Sequence, residues 1–235
     1  MKKLGILGGM GPLATCDLFR KVVENTQAGC DNDHIHIIID NNSSIPDRTA
    51  AILKGGQDPL PQMRASLKRL TEAGADVVIM GCNTAHYFYD ALGEGCTVER
   101  LNMLYETMAY LKTKGIKKAG LLASSGTVES GIYARAAEKY GVELLTPEGK
   151  AQEAVMGVIY DGVKAGVADY DTSAFEAVVA ELRSKGAETM ILGCTELPLA
   201  MDMYKLNFPA ADPTLILAKA AIKACGYEVK SGPPV

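Results

Sequence analysis

Cys82 and Cys194 occupy the same place in two copies of one sequence unit. The first copy runs from Leu70 to Tyr87 (LTEAGADVVIMGCNTAHY) and the second from Leu182 to Leu199 (LRSKGAETMILGCTELPL). They align without a gap at an offset of 194 − 82 = 112 positions, and the cysteines, the preceding Gly81 and Gly193, and the turn glycines Gly74 and Gly186 all coincide. A thiolate can take a proton and a thiol can return one, so two thiols aimed at one ligand from opposite sides would suit proton transfer across a stereocentre. An unperturbed thiol titrates near pH ~8.5 and is a poor base at neutral pH, so such a role requires surroundings that favour thiolate. Each cysteine precedes residues able to start a helix, Asn83-Thr84-Ala85-His86 and Thr195-Glu196-Leu197, and a helix N-terminus favours the anion. The plainer alternative is that each is a small buried apolar residue. That alternative suits one cysteine alone better than two at equivalent repeat positions. Cys16, Cys30, Cys96 and Cys225 lack this context and are read as structural.

Rival chemistries compete for the same residues. Cys82 and His86 are four apart and could share a helix face as zinc ligands, with Cys194 as a third, yet the chain has no Cys-x-x-Cys pair. His86 is therefore expected to hydrogen-bond near the site or simply to pack. Gly9-x-Gly11-x-x-Ala14 satisfies a loose dinucleotide fingerprint, with Asp40 as the ribose partner. Against it, Pro12 removes an N–H that a pyrophosphate would use, and a glycine turn offering amides to a smaller anion fits equally well. Arg48, in the loop Ile45-Pro46-Asp47-Arg48-Thr49 after the second strand, suits bidentate carboxylate recognition. Lys164, read from its own neighbours, is a solvated charge ending a helix.

The elements that position these residues follow from apolar runs of strand length alternating with helical patterns, the mark of βα units on a mostly parallel sheet. Strands are expected at Lys3 to Leu7, His34 to Ile39, Val77 to Met80 and near Val98 to Leu101. Helices are expected at Leu13 to Thr26 and Pro59 to Ala73, with a polar loop at Asp40 to Arg48. The pattern restarts at Lys117 to Leu122, which echoes Lys2 to Leu7 at an offset of 120 − 5 = 115 positions. Offsets of 112 and 115 differ by what loop-length drift would leave after duplication of a half-protein. Ser124-Ser125-Gly126-Thr127 replaces the first glycine-rich turn. Helices are then predicted at Val128 to Tyr140, Glu153 to Lys164 and Phe175 to Ser184, and strands at Val142 to Leu144 and Thr189 to Leu192. Pro213 to Ala224 is helical, belongs to neither repeat, and is expected to return to the first half. The tail, Ser231 to Val235, is expected to fray. The fold class is thus α/β, with lobes of residues 1–98 plus 208–235 and 99–207.

The 235 residues carry a net charge of −4, 48 % hydrophobic residues and no Trp. Nothing in that balance suggests nucleic acid as a partner. The glycine-broken N-terminus reads as a strand rather than a signal peptide, and no run approaches the ~18 apolar residues of a membrane span. Six irregularly spaced cysteines argue against a secreted disulfide scaffold and for a reducing cytoplasm.

Taken in order, GGMGPLAT, IPDRT, GCNTAH, ASSGT, GVKAG and GCTELP make nearly the whole chain resemble the aspartate/glutamate racemase family, on its cofactor-independent aspartate branch. Glutamate racemases share the cysteine motifs but typically carry His after the second Cys-Thr and an Asp-Ser-Gly turn after strand one. Here Glu196 and Gly9-Met10-Gly11 stand in those places. The resemblance implies two pseudo-symmetric doubly wound lobes with the active site between them, a homodimer, a small amino-acid substrate (aspartate, with glutamate open) and no cofactor. It implies that Cys82 and Cys194 are the two bases, Cys194 for the L and Cys82 for the D enantiomer. It further implies that Arg48 and Lys164 bind the side-chain carboxylate, and that Asn83, Thr84, Thr127 and Thr195 hold the α-carboxylate and amine. Met10 and Glu196 join the substrate-binding set on the same footing.

Overall fold

The computed structural model describes residues 1–231, so the tail expected to fray lies, from 232 onward, outside the described residues. The chain divides into two α/β units, one formed by Met1–Glu106 with the chain from Thr214 onward, the other by Thr107–Pro213.

The first unit runs β1 (Leu4–Gly8), α1 (Pro12–Asn25), β2 (Ile37–Asn41), α2 (Arg48–Leu53), α3 (Leu60–Glu72), β3 (Val77–Met80), a 3-10 segment (Thr84–Phe88), α4 (Tyr89–Gly93) and β4 (Glu99–Arg100). Helix α5 (Met103–Thr113) leads out of it. The second unit runs β5 (Lys118–Leu122), α6 (Ser125–Glu129), α7 (Ile132–Tyr140), β6 (Glu143–Leu145), α8 (Lys150–Gly157), a π-helical segment (Val158–Lys164), α9 (Ser173–Ser184), β7 (Thr189–Leu192), α10 (Glu196–Met203) and β8 (Ala210–Ala211). The last helix, α11 (Pro213–Ala224), begins at the boundary.

Each unit holds a four-stranded sheet, in the orders β2-β1-β3-β4 and β6-β5-β7-β8. Every pairing is parallel, so the second half repeats the first strand for strand. β1, β3 and β7 are buried along their whole length, as expected of parallel strands covered on both faces, which read as unbroken apolar runs. Leu7, Met63, Leu70 and Val78 fill the first core. Leu122, Val155, Phe175 and Leu182 fill the second. Each such side chain, fully buried, is worth roughly 1.5–3 kcal/mol of transfer free energy.

Several boundaries move, each for a tertiary reason. β4 pairs with β3 and β8 with β7, so β4 falls in the unit of Met1–Glu106 and β8 in that of Thr107–Pro213. β2 starts at Ile37, opposite Leu4, and extends to Asn41 alongside Gly8. The helix expected from Val128 to Tyr140 is broken at Gly131, whose φ of +67° is left-handed. α11 joins the first unit as expected: the Lys2 N–H donates to the Cys225 carbonyl at 3.1 Å, and Thr26 bridges antiparallel to Val229 beyond the helix. No helix among the described residues is long and apolar enough to cross a membrane.

Candidate active site

In both units the candidate residues lie at and just beyond the C-terminal tips of two neighbouring central strands, the place where open α/β sheets bind ligands. Leu7 of β1 lies in register with Met80 of β3, two residues before Cys82. Leu122 of β5 lies in register with Leu192 of β7, two residues before Cys194.

In the first unit the turn after β1 is built by packing. Gly9 has φ +89° and lies so close to Asn42 that a Cβ would fall 2.2 Å from its carbonyl carbon, so only glycine fits. Thr15 closes the turn, its hydroxyl accepting from the Gly9 N–H at 2.9 Å and donating to the Gly11 carbonyl at 3.0 Å. The carbonyl of buried Met10 accepts from Arg48 Nη2 at 3.1 Å. Arg48 Nη1 donates to the carbonyls of Pro46 at 3.0 Å and Ile45 at 3.3 Å. Arg48 is 8 % exposed as a residue, and a guanidinium held in a buried residue by carbonyl dipoles suits an anion. Arg48 opens α2, which packs on the 3-10 segment after Cys82. Asp40, the ribose partner of the dinucleotide reading, is instead bound by Arg69 at 2.8 Å. Burial works against its ionisation, but the Arg69 and Ser66 hydrogen bonds outweigh burial and hold the carboxyl below its usual range.

Cys82 is 5 % exposed and is flanked by buried Asn83 and Thr84. His86 anchors it through the backbone. Its Nε2 accepts from the Met103 N–H at 3.1 Å, which leaves Nδ1 to donate to the Cys82 carbonyl at 2.8 Å. Both ring nitrogens are thus engaged by backbone groups, which speaks against the zinc reading. Burial pushes the imidazole down to about 4, so it is neutral at pH 7.

In the second unit Cys194 is 9 % exposed and its thiol donates to Glu196 Oε2 at 2.9 Å. The Thr195 hydroxyl donates to the same oxygen at 3.3 Å. Lys164 Nζ lies 3.8 Å from Glu196 Oε1 and 4.3 Å from the centre of the Tyr160 ring. Burial and the Glu196 charge push the Cys194 thiol well above its usual range, Lys164 opposing them. This departs from the thiolate expected at a helix start. The reason is first the burial of the thiol and then the carboxylate of Glu196, which opens α10 two residues after Cys194. Thr127 is fully buried in α6, its hydroxyl 3.2 Å from that of Ser124.

The structure therefore joins Met10 to Arg48 in one unit, and Cys194, Thr195, Glu196 and Lys164 in the other. Lys164 reaches the Cys194 cluster from 30 residues upstream, which its local sequence did not foretell. Sequence reading also missed Gln152, whose Nε2 donates to the Ala123 carbonyl at 2.9 Å and lies 3.4 Å from the Ser125 hydroxyl. It sits in the first turn of α8 with no motif to mark it.

Residues 7–221 match the family model described as Asp/Glu/Hydantoin racemase. The chain is 28 % identical over 224 residues to a broad specificity amino-acid racemase of Bacillus subtilis, covering 93 % of this chain and 96 % of that one. Among solved structures it is similar to the aspartate racemase of Picrophilus torridus, with a TM-score of 0.84, 32 % identity and coverage of 98 % and 96 % of the two chains. It shares its fold with the glutamate racemase of Francisella tularensis, with a TM-score of 0.69 and 16 % identity over 95 % of this chain and 80 % of that one.

Proposed function

The chain belongs to the Asp/Glu/Hydantoin racemase family, and on that footing we propose that it interconverts L- and D-aspartate by two-base proton transfer without a cofactor. The observation that carries the reading is the pair of buried cysteines at equivalent strand tips of two units with one strand order. One thiolate removes the Cα proton and the opposite thiol protonates the other face. Cys194 serves the L enantiomer and Cys82 the D. Because the Cα–H is a very weak acid and no covalent electron sink takes part, the carbanion must be stabilised through its carboxylate by oriented donors. Asn83, Thr84, Thr127 and Thr195 are assigned that task and the amine. Arg48 and Lys164 hold the side-chain carboxylate, and Met10 and Glu196 complete the substrate-facing set. The protein acts as a cytoplasmic homodimer on this reading.

The test is incubation of L- and D-aspartate in deuterated water, following deuterium at Cα and optical rotation together. The expected result is uptake of one deuterium with loss of rotation from either enantiomer. Exchange without racemisation, or neither, would overturn the reading. A wider substrate range is a second reading, favoured by the similarity to a broad specificity racemase; the same assay over glutamate and neutral amino acids decides it.

A further inference from the structure

Lys164 ends a stretch of backbone that is not α-helical. The Ala165 N–H donates to the Tyr160 carbonyl at 3.1 Å and the Val167 N–H to the Gly162 carbonyl at 3.0 Å. The first bond spans five residues, one more than an α-helical turn, and belongs to the π-helical segment Val158–Lys164. The second, with the Gly166 N–H donating to the Val163 carbonyl at 3.1 Å, is the glycine cap that ends it. Such wide turns are rare and frequently mark functional sites. Its effect is to change register: one residue of α-helix amounts to about 1.5 Å along the axis and ~100° around it.

Two tyrosines fill the space that side chains would take on this turn. A Cβ on buried Gly162 would lie 2.8 Å from the Tyr204 hydroxyl and 3.2 Å from Tyr170 Cγ. A Cβ on Gly157, just before the turn, would lie 2.4 Å from the Tyr170 hydroxyl. The Tyr204 hydroxyl also donates to the Val167 carbonyl at 2.8 Å. Tyr204 caps the C-terminal end of α10, and Glu196, 3.8 Å from Lys164, opens its N-terminal end. One short helix therefore touches the wide turn at two points, and its first residue also accepts the Cys194 hydrogen bond.

We propose that the turn Val158–Lys164, held by Tyr204 seated on Gly162, is a positioning device that fixes Lys164 relative to Cys194 and so sets the length of dicarboxylate accepted. This deepens the proposed function and rests on its assignment of Lys164 to the side-chain carboxylate. Aspartate and glutamate differ by one methylene, a length of the same order as the ~1.5 Å register step. Gly162 and Tyr204 are positioning residues that act through Lys164.

The experiment compares the full-length protein with Gly162→Ala, Tyr204→Phe and the double variant. Two readouts are taken: kcat and KM on aspartate and glutamate, and the rates of iodoacetamide alkylation at Cys194 and Cys82 resolved by mass spectrometry. Gly162→Ala should shift the aspartate-to-glutamate ratio of kcat/KM by roughly 10-fold, the lower end of what one methylene is worth, mainly through KM. It should also slow alkylation of Cys194 severalfold, because Lys164 draws away from the cluster, and leave Cys82 unchanged. Removing the clashing hydroxyl in the double variant should bring both readouts most of the way back to those of Tyr204→Phe, the remainder being the 3.2 Å contact with Tyr170 Cγ. Equal losses on both substrates, or cysteine rates that move together, would overturn the proposal. If Gly162→Ala does not fold, Tyr204→Phe alone, which loosens the turn without a clash, must show the same two shifts at smaller size. If the parent racemises nothing, the function falls, while the alkylation arm still decides whether the turn positions Lys164.

Discussion

The segments around Cys82 and Cys194 share a strand, a glycine and a burial, yet they are supported in opposite ways. Cys82 is fixed through its backbone by a neutral imidazole. Among the described residues no hydrogen bond joins its thiol to a carboxylate. Cys194 is fixed through its sulfur, which donates to a carboxylate that also faces a lysine. The glycines before them differ too. A Cβ on Gly193 would press within 2.7 Å of Leu121 and 3.1 Å of the Leu122 carbonyl, whereas one on Gly81 would meet, among the described residues, Leu18 alone, at 3.2 Å. The two units thus place their cysteines alike on one strand order while the groups that hydrogen-bond around them differ. For a racemase that difference has a limit. The overall equilibrium between enantiomers is unity, so kcat/KM must be the same in both directions however unlike the two bases become.

The strongest way to break the comparison is to remove each thiol in turn. Cys82→Ala and Cys194→Ala should each lower racemisation by ~10²–10⁴-fold, the range for a positioned general acid or base, with the circular dichroism spectrum unchanged. Full activity in either variant would mean that the two segments do not share one reaction.

His86 gives the next largest effect. Its folded-state pKa, about 4, lies below the ordinary 6.5, so between those values the unfolded chain binds more protons than the native one. Stability therefore falls as pH drops from 6.5 towards 4, by about 3 kcal/mol at ~1.4 kcal/mol per unit. Urea unfolding of the parent and of His86→Gln should show this slope in the parent and its loss in the variant. Parallel slopes would show that His86 is not the neutral anchor of Cys82.

Glu196→Gln sharpens the contrast at the smallest scale. It removes the charge that helps hold Cys194 as a thiol but keeps an acceptor for the S–H bond. Alkylation of Cys194 should then speed up severalfold near pH 8, as more of the thiol ionises, while the Cys82 rate stays put. No change at Cys194 would leave burial alone as the cause of its raised pKa.

Much of the frame is legible in the chain itself. β3 and β7 fall at Val77–Met80 and Thr189–Leu192, as their short apolar runs and flanking turn residues predict, and α11 falls at Pro213–Ala224, as its helical pattern predicts. The equivalence of the two cysteines follows from the repeat, because burial on both sheet faces leaves a strong local signature. The two-residue strands β4 and β8 carry almost none, since their existence depends on a neighbour to pair with. The site divides the same way. The places of Cys82 and Cys194 just past strand ends, and of Arg48 in the connection after the second strand, could be read from spacing. That Arg48 points its guanidinium at the Met10 carbonyl, that Glu196 accepts from Cys194, and that a wide turn brings Lys164 to the same carboxylate were decided only by tertiary packing. Strand and helix patterns arise from interactions between near neighbours, which a sequence displays. Charge pairing and protonation arise from burial and from groups tens of residues apart, which only the folded chain brings within a few ångströms.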